Sequence, residues 1–382
     1  MEKYDIVIIG AGPAGSFLAN RLKNKNLKVL ILEKKEFPRY KSCAGGLSKK
    51  AYDILYSENK DIKNVIEKTV KNALYVRDEK FISINTRKNL IYMTYRAKLD
   101  NFLLTSAVDN KTIFFKDNIK IKKINTKNNQ IIFTKGKKQR NISYKILVGA
   151  WGNNIRLNRM VDLYPFKYFD LSSSWEGPSS SKFNKFENKY FLTQFMNRNP
   201  SFVFYIFPKN DLITAGLFTS RFPVKSNCNS CWDDFLKFWN LDKKIKPKYA
   251  IIPVRNFNKP ISSKNILLVG DAAGLADPFT GEGIYYAIIS SIIAGNNIEK
   301  YFKEKNFNLS KNYEFDIYKK LFYVLNWGGF YRYLFNKFPN LSFWFGSETK
   351  WGNHVIISFI NGEIKYNELQ KILKYPFLKI FS

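Results

Sequence analysis

The sequence predicts a chain of mixed α/β and α+β class. A doubly wound, parallel-sheet nucleotide-binding unit is interleaved with a mixed or antiparallel sheet, and a helical region follows. Three observations predict this. The chain opens on an apolar run that passes straight into a G-x-G-x-x-G turn. A second apolar run, Asn265 to Val269, ends in Gly270-Asp271 and a Gly/Pro loop. Between the two lie short segments rich in Phe and Tyr, residue types that favour strands.

The opening stretch is Asp5-Ile-Val-Ile-Ile-Gly10-Ala-Gly12-Pro-Ala14-Gly15. Its context reads as strand, tight turn, helix (Phe17 to Leu22) and second strand, Lys28 to Leu32, closing on Glu33. Gly10 serves the turn, Gly12 lets backbone approach a pyrophosphate, and Gly15 permits close helix–strand packing. The helix N-terminus presents free N–H groups and a positive dipole end to phosphates. Glu33 lies 18 residues beyond Gly15 (33 − 15), where a carboxylate accepts hydrogen bonds from a ribose. Together these mark a dinucleotide site.

Next comes Arg39-Tyr-Lys41-Ser-Cys43-Ala44-Gly45-Gly46, a basic loop whose glycines allow a backbone to approach a ligand. A helix over Ala51 to Leu55 follows, then alternating segments Lys80 to Ile84 and Leu90 to Thr94, expected in the second sheet. Tyr95 to Ala107 has helical apolar spacing, with Arg96 at its start. Short strands are expected over Thr112–Phe115, Ile119–Ile124, Gln130–Thr134 and Tyr144–Val148, the last running into Gly149-Ala-Trp151-Gly152. Residues 159 to 258 read as aromatic strands around an apolar cavity, with paired strands over Ser201–Lys209 and Leu212–Phe218 and a helix over Trp232–Leu241. Gly281-Glu-Gly283 then opens a long helix, Ile284 to Tyr301, whose N-terminus stabilises negative charge. Residues 301–382 read as helical and aromatic.

The chain has 382 residues and a net charge of +32, from 63 basic and 31 acidic side chains. The charges are dispersed, and no helix-turn-helix, finger or arginine-rich arm occurs, so nucleic acid is not an expected partner. An anionic membrane surface is the alternative that the Lys and aromatic content supports. Three cysteines form no disulfide framework, which suggests a cytoplasmic chain, peripheral on a membrane if that surface is its partner. Cys228-x-x-Cys231 has neither a βαβ context nor a second ligand pair and reads as two ordinary thiols. No metal site is expected. The single histidine, His354, is not expected to be catalytic.

Three segments together resemble the FAD-dependent geranylgeranyl reductase family, within the flavoprotein group built like p-hydroxybenzoate hydroxylase. They are Gly10 to Gly15 with Glu33, Arg39 to Gly46, and Gly270-Asp-Ala-Ala-Gly274 with Pro278 to Gly283. The resemblance implies an extended FAD. Ala14 and Glu33 match the adenosine and ribose end, and Ile121 matches a backbone contact to adenine. Cys43, Ala44 and Gly46 match the loop beside the flavin. Arg96 matches the family arginine, and Asp271, Gly283 and Ile284 match the ribityl and ring contacts. It further implies a Rossmann-like FAD-binding domain over 1–52, 95–158 and 262–300. The substrate sheet would occupy 53–94 and 159–261, and the helical region 301–382.

Two departures stand out. Trp151-Gly152 replaces the Asp-Gly common in the wider group, which leaves the reductant (NAD(P)H, ferredoxin or a quinol) undetermined. Val203-Phe-Tyr205-Ile-Phe207-Pro208 keeps only the Phe-Pro end of a Tyr-x-Trp-x-Phe-Pro pattern. Tyr205 and Phe207 are the expected substrate contacts. The implied activity is reduction of C=C bonds in an isoprenoid chain, with Cys43, a tyrosine or water as proton source. A flavin monooxygenase or halogenase, or an electron-transfer flavoprotein at a membrane, are the alternatives.

Overall fold

Ile6 to Ile9 are all buried, because strand β1 (Glu2–Ile9) has neighbours on both edges and helices on its face. The computed structural model describes residues 1–360 except 78–79, 110, 186–189, 197–198, 223–227 and 245. β1 pairs in parallel with Lys138–Gly149 on one side and with β2 (Val29–Leu32) on the other. Ile266–Leu268 flanks the former and Ile113–Lys116 the latter. The register aligns their ends. Ile9 stands opposite both Leu32 and Gly149, and Gly149 stands opposite Leu268. Gly10, Glu33, Ala150 and Val269 therefore leave the sheet along one edge, where open α/β sheets bind their ligands. Gln130–Lys135 and Ile119–Asn125 extend this sheet as an antiparallel flap.

Helix α1 (Pro13–Leu22) lies against β1, with Arg96–Ala107 and Ile284–Lys303 beside it. Gly10 has a φ of +109°, and a Cβ on Gly15 would sit 1.9 Å from the Gly10 carbonyl oxygen. Ser291 donates to the Ala14 carbonyl at 2.8 Å, which fixes the later helix to the first turn of α1.

The second sheet runs Lys248–Arg255, Phe166–Gly177, Ile213–Phe222, Asn199–Pro208, Tyr190–Met196, Asn72–Arg77, Lys80–Ile84. It is antiparallel except where Tyr190–Met196 meets Asn72–Arg77. The segment around Leu90 to Thr94 was expected in this sheet, but Ile91–Met93 instead pairs with Gly46–Ser48 and Lys68–Val70 in a separate three-stranded sheet. Its role is to anchor the Cys43 loop: Thr94 donates its N–H to the Gly45 carbonyl at 2.7 Å. Strand alternation divides the aromatic residues between two jobs. Phe202, Phe204 and Ile206 enter a core with Trp175, Phe235 and Trp239, where Phe204 and Phe235 stack at 4.5 Å. Val203, Tyr205 and Phe207 face the other way, into a cavity.

The long helix Leu309–Lys337 joins the two sheets. It buries Tyr313, Ile317, Leu321, Leu325 and Gly328 on one face. Tyr313 donates to the Leu268 carbonyl at 2.6 Å, and Glu314 accepts from the Ile261 and Ser262 N–H groups at 2.6 and 2.8 Å. Near its other end Arg332 grips Asp170 of the second sheet through two 2.7 Å bonds and donates to the Pro278 carbonyl at 2.9 Å.

Removing one partner of a buried ion pair costs more than removing both. Arg332→Leu is expected to lower stability by about 3 kcal/mol, and Arg332→Leu with Asp170→Leu to recover much of that. Calorimetric unfolding of the three proteins checks the order.

Candidate active site

The aligned strand ends, the Cys43 loop and the free face of the second sheet enclose one cavity of about 1760 Å³. At one end Glu33 is 5% exposed, and its carboxylate accepts from Ala11 N at 2.9 Å and Lys35 N at 3.1 Å. These bonds hold the acid at the end of β2 and leave lone pairs for ribose hydroxyls. The first turn of α1 starts at Gly12 without a side-chain cap. A Cβ on Gly12 would meet nothing nearer than the Arg39 guanidinium at 3.7 Å. The free N–H groups of that turn therefore face open space, as a phosphate requires.

A buried charge network sits beside this turn. Asp100 has no solvent exposure and accepts two 2.9 Å bonds from Arg96, four residues earlier on the same helix. Arg39 Nη1 lies 3.0 Å from the same carboxylate, yet it is buried with no hydrogen-bond partner. The ion pair holds a guanidinium on the cavity wall, where it suits an anionic group such as a pyrophosphate. Burial opposes the charge on Arg96. Asp100 first, then Cys43, more than offset this, and the guanidinium titrates above its ordinary range. Cys43 lies close enough to Arg96 to act on its charge, and its Sγ accepts from Gly45 N at 3.4 Å.

The far end is built from the second fingerprint. Gly283 caps Ile284–Lys303 without a side-chain bond, and a Cβ there would come within 3.4 Å of Asp271 Oδ1. Asp271 faces Lys41, whose pKa burial lowers and Asp271 partly restores. Asp277 organises the turn between, accepting from Phe279 N at 2.8 Å, Thr280 N at 3.1 Å and the Tyr286 hydroxyl at 3.0 Å. Trp151, standing where an Asp was expected, is buried against Gly149. Its indole donates to Asn158 at 2.9 Å, and Asn158 donates to the Ala272 carbonyl at 2.9 Å. Trp151 thus ties one strand end to the loop after another.

The remaining wall is apolar. Tyr205 packs over Gly216, where a Cβ would fall 2.0 Å from its ring, and donates to the Ser173 carbonyl at 2.8 Å. Burial pushes the phenol well above its ordinary range, so Tyr205 stays neutral. Phe207 covers Gly46, leaving 2.5 Å for a Cβ. Tyr331, Phe335, Phe338, Leu341 and Trp344 from the helical region complete the lining.

Gly10, Gly12, Ala14, Glu33, Cys43, Ala44, Gly46, Arg96, Ile121, Tyr205, Phe207, Asp271, Gly283 and Ile284 all line this one cavity. Gly15 lies behind it, at the α1–β1 contact. His354 is exposed on Lys350–Ile360. Cys231 is half-buried on the helix Cys228–Phe238, and the side chain of Cys228 lies outside the described residues. No His, Cys, Asp or Glu cluster among the described residues could hold a metal.

Sequence reasoning missed Asp100, Lys209 and the helical wall. The i, i+4 spacing from Arg96 could have found Asp100. Lys209 is 2% exposed, donates to the Ala44 carbonyl at 3.3 Å and to the Thr214 hydroxyl, and lies 4.8 Å from the Tyr95 ring centroid. Its place directly after Phe207-Pro208 gave no sign of burial.

A family profile for pyridine nucleotide-disulphide oxidoreductases matches residues 4–162. With the cavity geometry, this defines an FAD-dependent oxidoreductase. An uncharacterised protein of Methanosarcina barkeri is 33% identical over 333 residues, covering 84% of this chain and 82% of its own. The digeranylgeranylglycerophospholipid reductase of Methanococcus vannielii is 26% identical over 318 residues, covering 80% of each. Among solved structures, a geranylgeranyl bacteriochlorophyll reductase-like protein of Thermoplasma acidophilum superposes with a TM-score of 0.81 at 21% identity, over 98% of this chain and 99% of that one. A flavin-dependent brominase shares the fold with a TM-score of 0.75 at 18% identity, over 94% of each chain. The chain belongs to the FAD-dependent geranylgeranyl reductase family of flavoproteins.

Two outcomes are expected. Glu33→Gln, which keeps the shape but removes the charge, weakens FAD retention about tenfold or more, read by absorbance titration of the apoprotein. Burial lowers Lys209 to about 8 from its ordinary 10.5. Its folded pKa is below its unfolded one, so folding carries a penalty below pH 8 that disappears as pH rises to 10.5. Across that window the stability of the wild type relative to Lys209→Met rises by up to about 3 kcal/mol, read by urea unfolding.

Proposed function

We propose that the protein reduces carbon–carbon double bonds in a geranylgeranyl chain carried by a lipid or a diphosphate. One observation carries this reading. The cavity, at about 1760 Å³, exceeds the roughly 300–1,000 Å³ of a pocket for one small ligand, and beyond the Cys43 loop its wall is aromatic and aliphatic. The space suits a dinucleotide and an apolar chain together. The relatives named as digeranylgeranylglycerophospholipid reductases support the choice of chain.

When bound, reduced FAD supplies a hydride. The chain's own residues do the rest. Glu33, the first turn of α1 and Asp271 hold the cofactor's two ends. Val203, Tyr205, Phe207 and Phe218 orient the isoprenoid chain and keep water out. Cys43 lines the same cavity, with Gly45 N donating to its Sγ, and we take its thiol as the donor of the proton to carbon. The Tyr205 hydroxyl already donates to Ser173 and is not free for that role.

Dithionite-reduced protein, incubated without oxygen with geranylgeranyl glycerophospholipid or geranylgeranyl diphosphate, is expected to add two hydrogens per bond by mass spectrometry. Cys43→Ala is expected to slow this about 100-fold with FAD content unchanged, the scale of a lost general acid. No hydrogen gain on either substrate, with halide-dependent oxygen consumption on an aromatic compound instead, would overturn the reading in favour of a halogenase.

A further inference from the structure

The long helix Leu309–Lys337 is apolar on two opposite faces. One face is the buried row that ends at Arg332. The other carries Phe315, Lys319, Tyr323, Phe330, Tyr333 and Lys337, spaced by three, four or seven residues and so aligned on one side. Phe315, Tyr323, Phe330 and Tyr333 are 62%, 59%, 45% and 53% exposed, and both lysines are exposed. The row spans 22 residue steps (337 − 315), about 33 Å of helix. A helix that only covers a core turns its polar side outward. This one shows solvent an aromatic stripe.

The charges on the helix say what the stripe faces. Its two acids are engaged elsewhere: Glu314 with the Ile261 and Ser262 N–H groups, and Asp316 with Asn297 at 2.8 Å. Glu314 lies off the stripe, and Asp316, at its edge three residues before Lys319, is bonded to Asn297, so lysines are the charges that the stripe carries outward. Tyr and Phe interleaved with Lys is the composition of a surface seated at the headgroup level of a bilayer. Beyond the helix end, Leu341 and Trp344 are 60% and 51% exposed and also line the cavity. The cavity therefore reaches the surface next to the end of the helix that carries the stripe.

We infer that this stripe docks the protein on an anionic lipid bilayer, with the cavity mouth against the headgroups. A second copy is a poorer occupant, since each chain carries a net charge of +32 and the two repel. Among the described residues no helix is long and apolar enough to cross a membrane, so the contact is one of surface seating. The inference concerns attachment and holds whichever bond the enzyme reduces.

The full FAD-loaded chain is sedimented with phosphatidylcholine vesicles, with and without phosphatidylglycerol. Wild type is expected to pellet with the anionic vesicles and to be released by salt. Lys319→Glu with Lys337→Glu, and separately Phe330→Ser with Tyr333→Ser, are each expected to cut partition roughly tenfold or more. None of these four residues lines the cavity, so FAD content and turnover on detergent-dispersed substrate should be unchanged. Equal partition of wild type and variants would overturn the inference. So would a wild-type dimer, in analytical ultracentrifugation, that Phe330→Ser with Tyr333→Ser makes monomeric. Vesicle binding without turnover would sink the reductase reading and leave this one standing.

Discussion

Helix α1 starts where it does because Gly15 meets the Gly10 carbonyl with no side chain between them. Any Cβ there would lie 1.9 Å from that oxygen. The contact sets the distance from the helix to the sheet, and so the height of the helix N-terminus above the strand ends. Glu33 depends on it too, since its carboxylate is held by Ala11 N inside the same turn. Ser291 then docks the later helix onto the Ala14 carbonyl. Two stretches far apart in sequence become one phosphate-to-ring platform through a chain of contacts that begins at a missing methyl group.

The electrostatics follow the same economy. Asp100 has no exposure, and such a carboxylate is tolerated only with strong partners. It has two arginines, from the loop and from its own helix, and one of them reaches on to Cys43. The acid therefore places the cationic side chains of the cavity wall and joins the Arg39 loop to the thiol loop.

The parts legible in the sequence were the local ones. The glycine turn, Glu33 and the Gly270-Asp271 loop depend on neighbours a few residues away, and the parallel ladder follows once strand and helix alternate. What escaped notice was long-range. Ile91–Met93 looks like any alternating strand, and its choice of Gly46–Ser48 as partner rests on the chain path. Lys209 looks like a surface residue because its burial comes from Thr214 and the Ala44 loop, the latter 165 positions away. The aromatic residues of the last helices suit a membrane surface and helix packing equally in the sequence, and only the fold shows that they divide between a cavity wall and solvent.

The strand Asn199–Pro208 turns Phe202, Phe204 and Ile206 to the aromatic core and Val203, Tyr205 and Phe207 to the cavity. The two sets are separated by no more than the pleat, and a slip by one residue would exchange them. Within the register they are independent. Tyr205 and Phe207 are held on the cavity side by Ser173, Gly216 and Gly46, which leaves Val203 as the position of the three that can change with the even-numbered scaffold intact. The cavity wall can thus be reshaped at that point on a strand whose aromatic core lies on its other side.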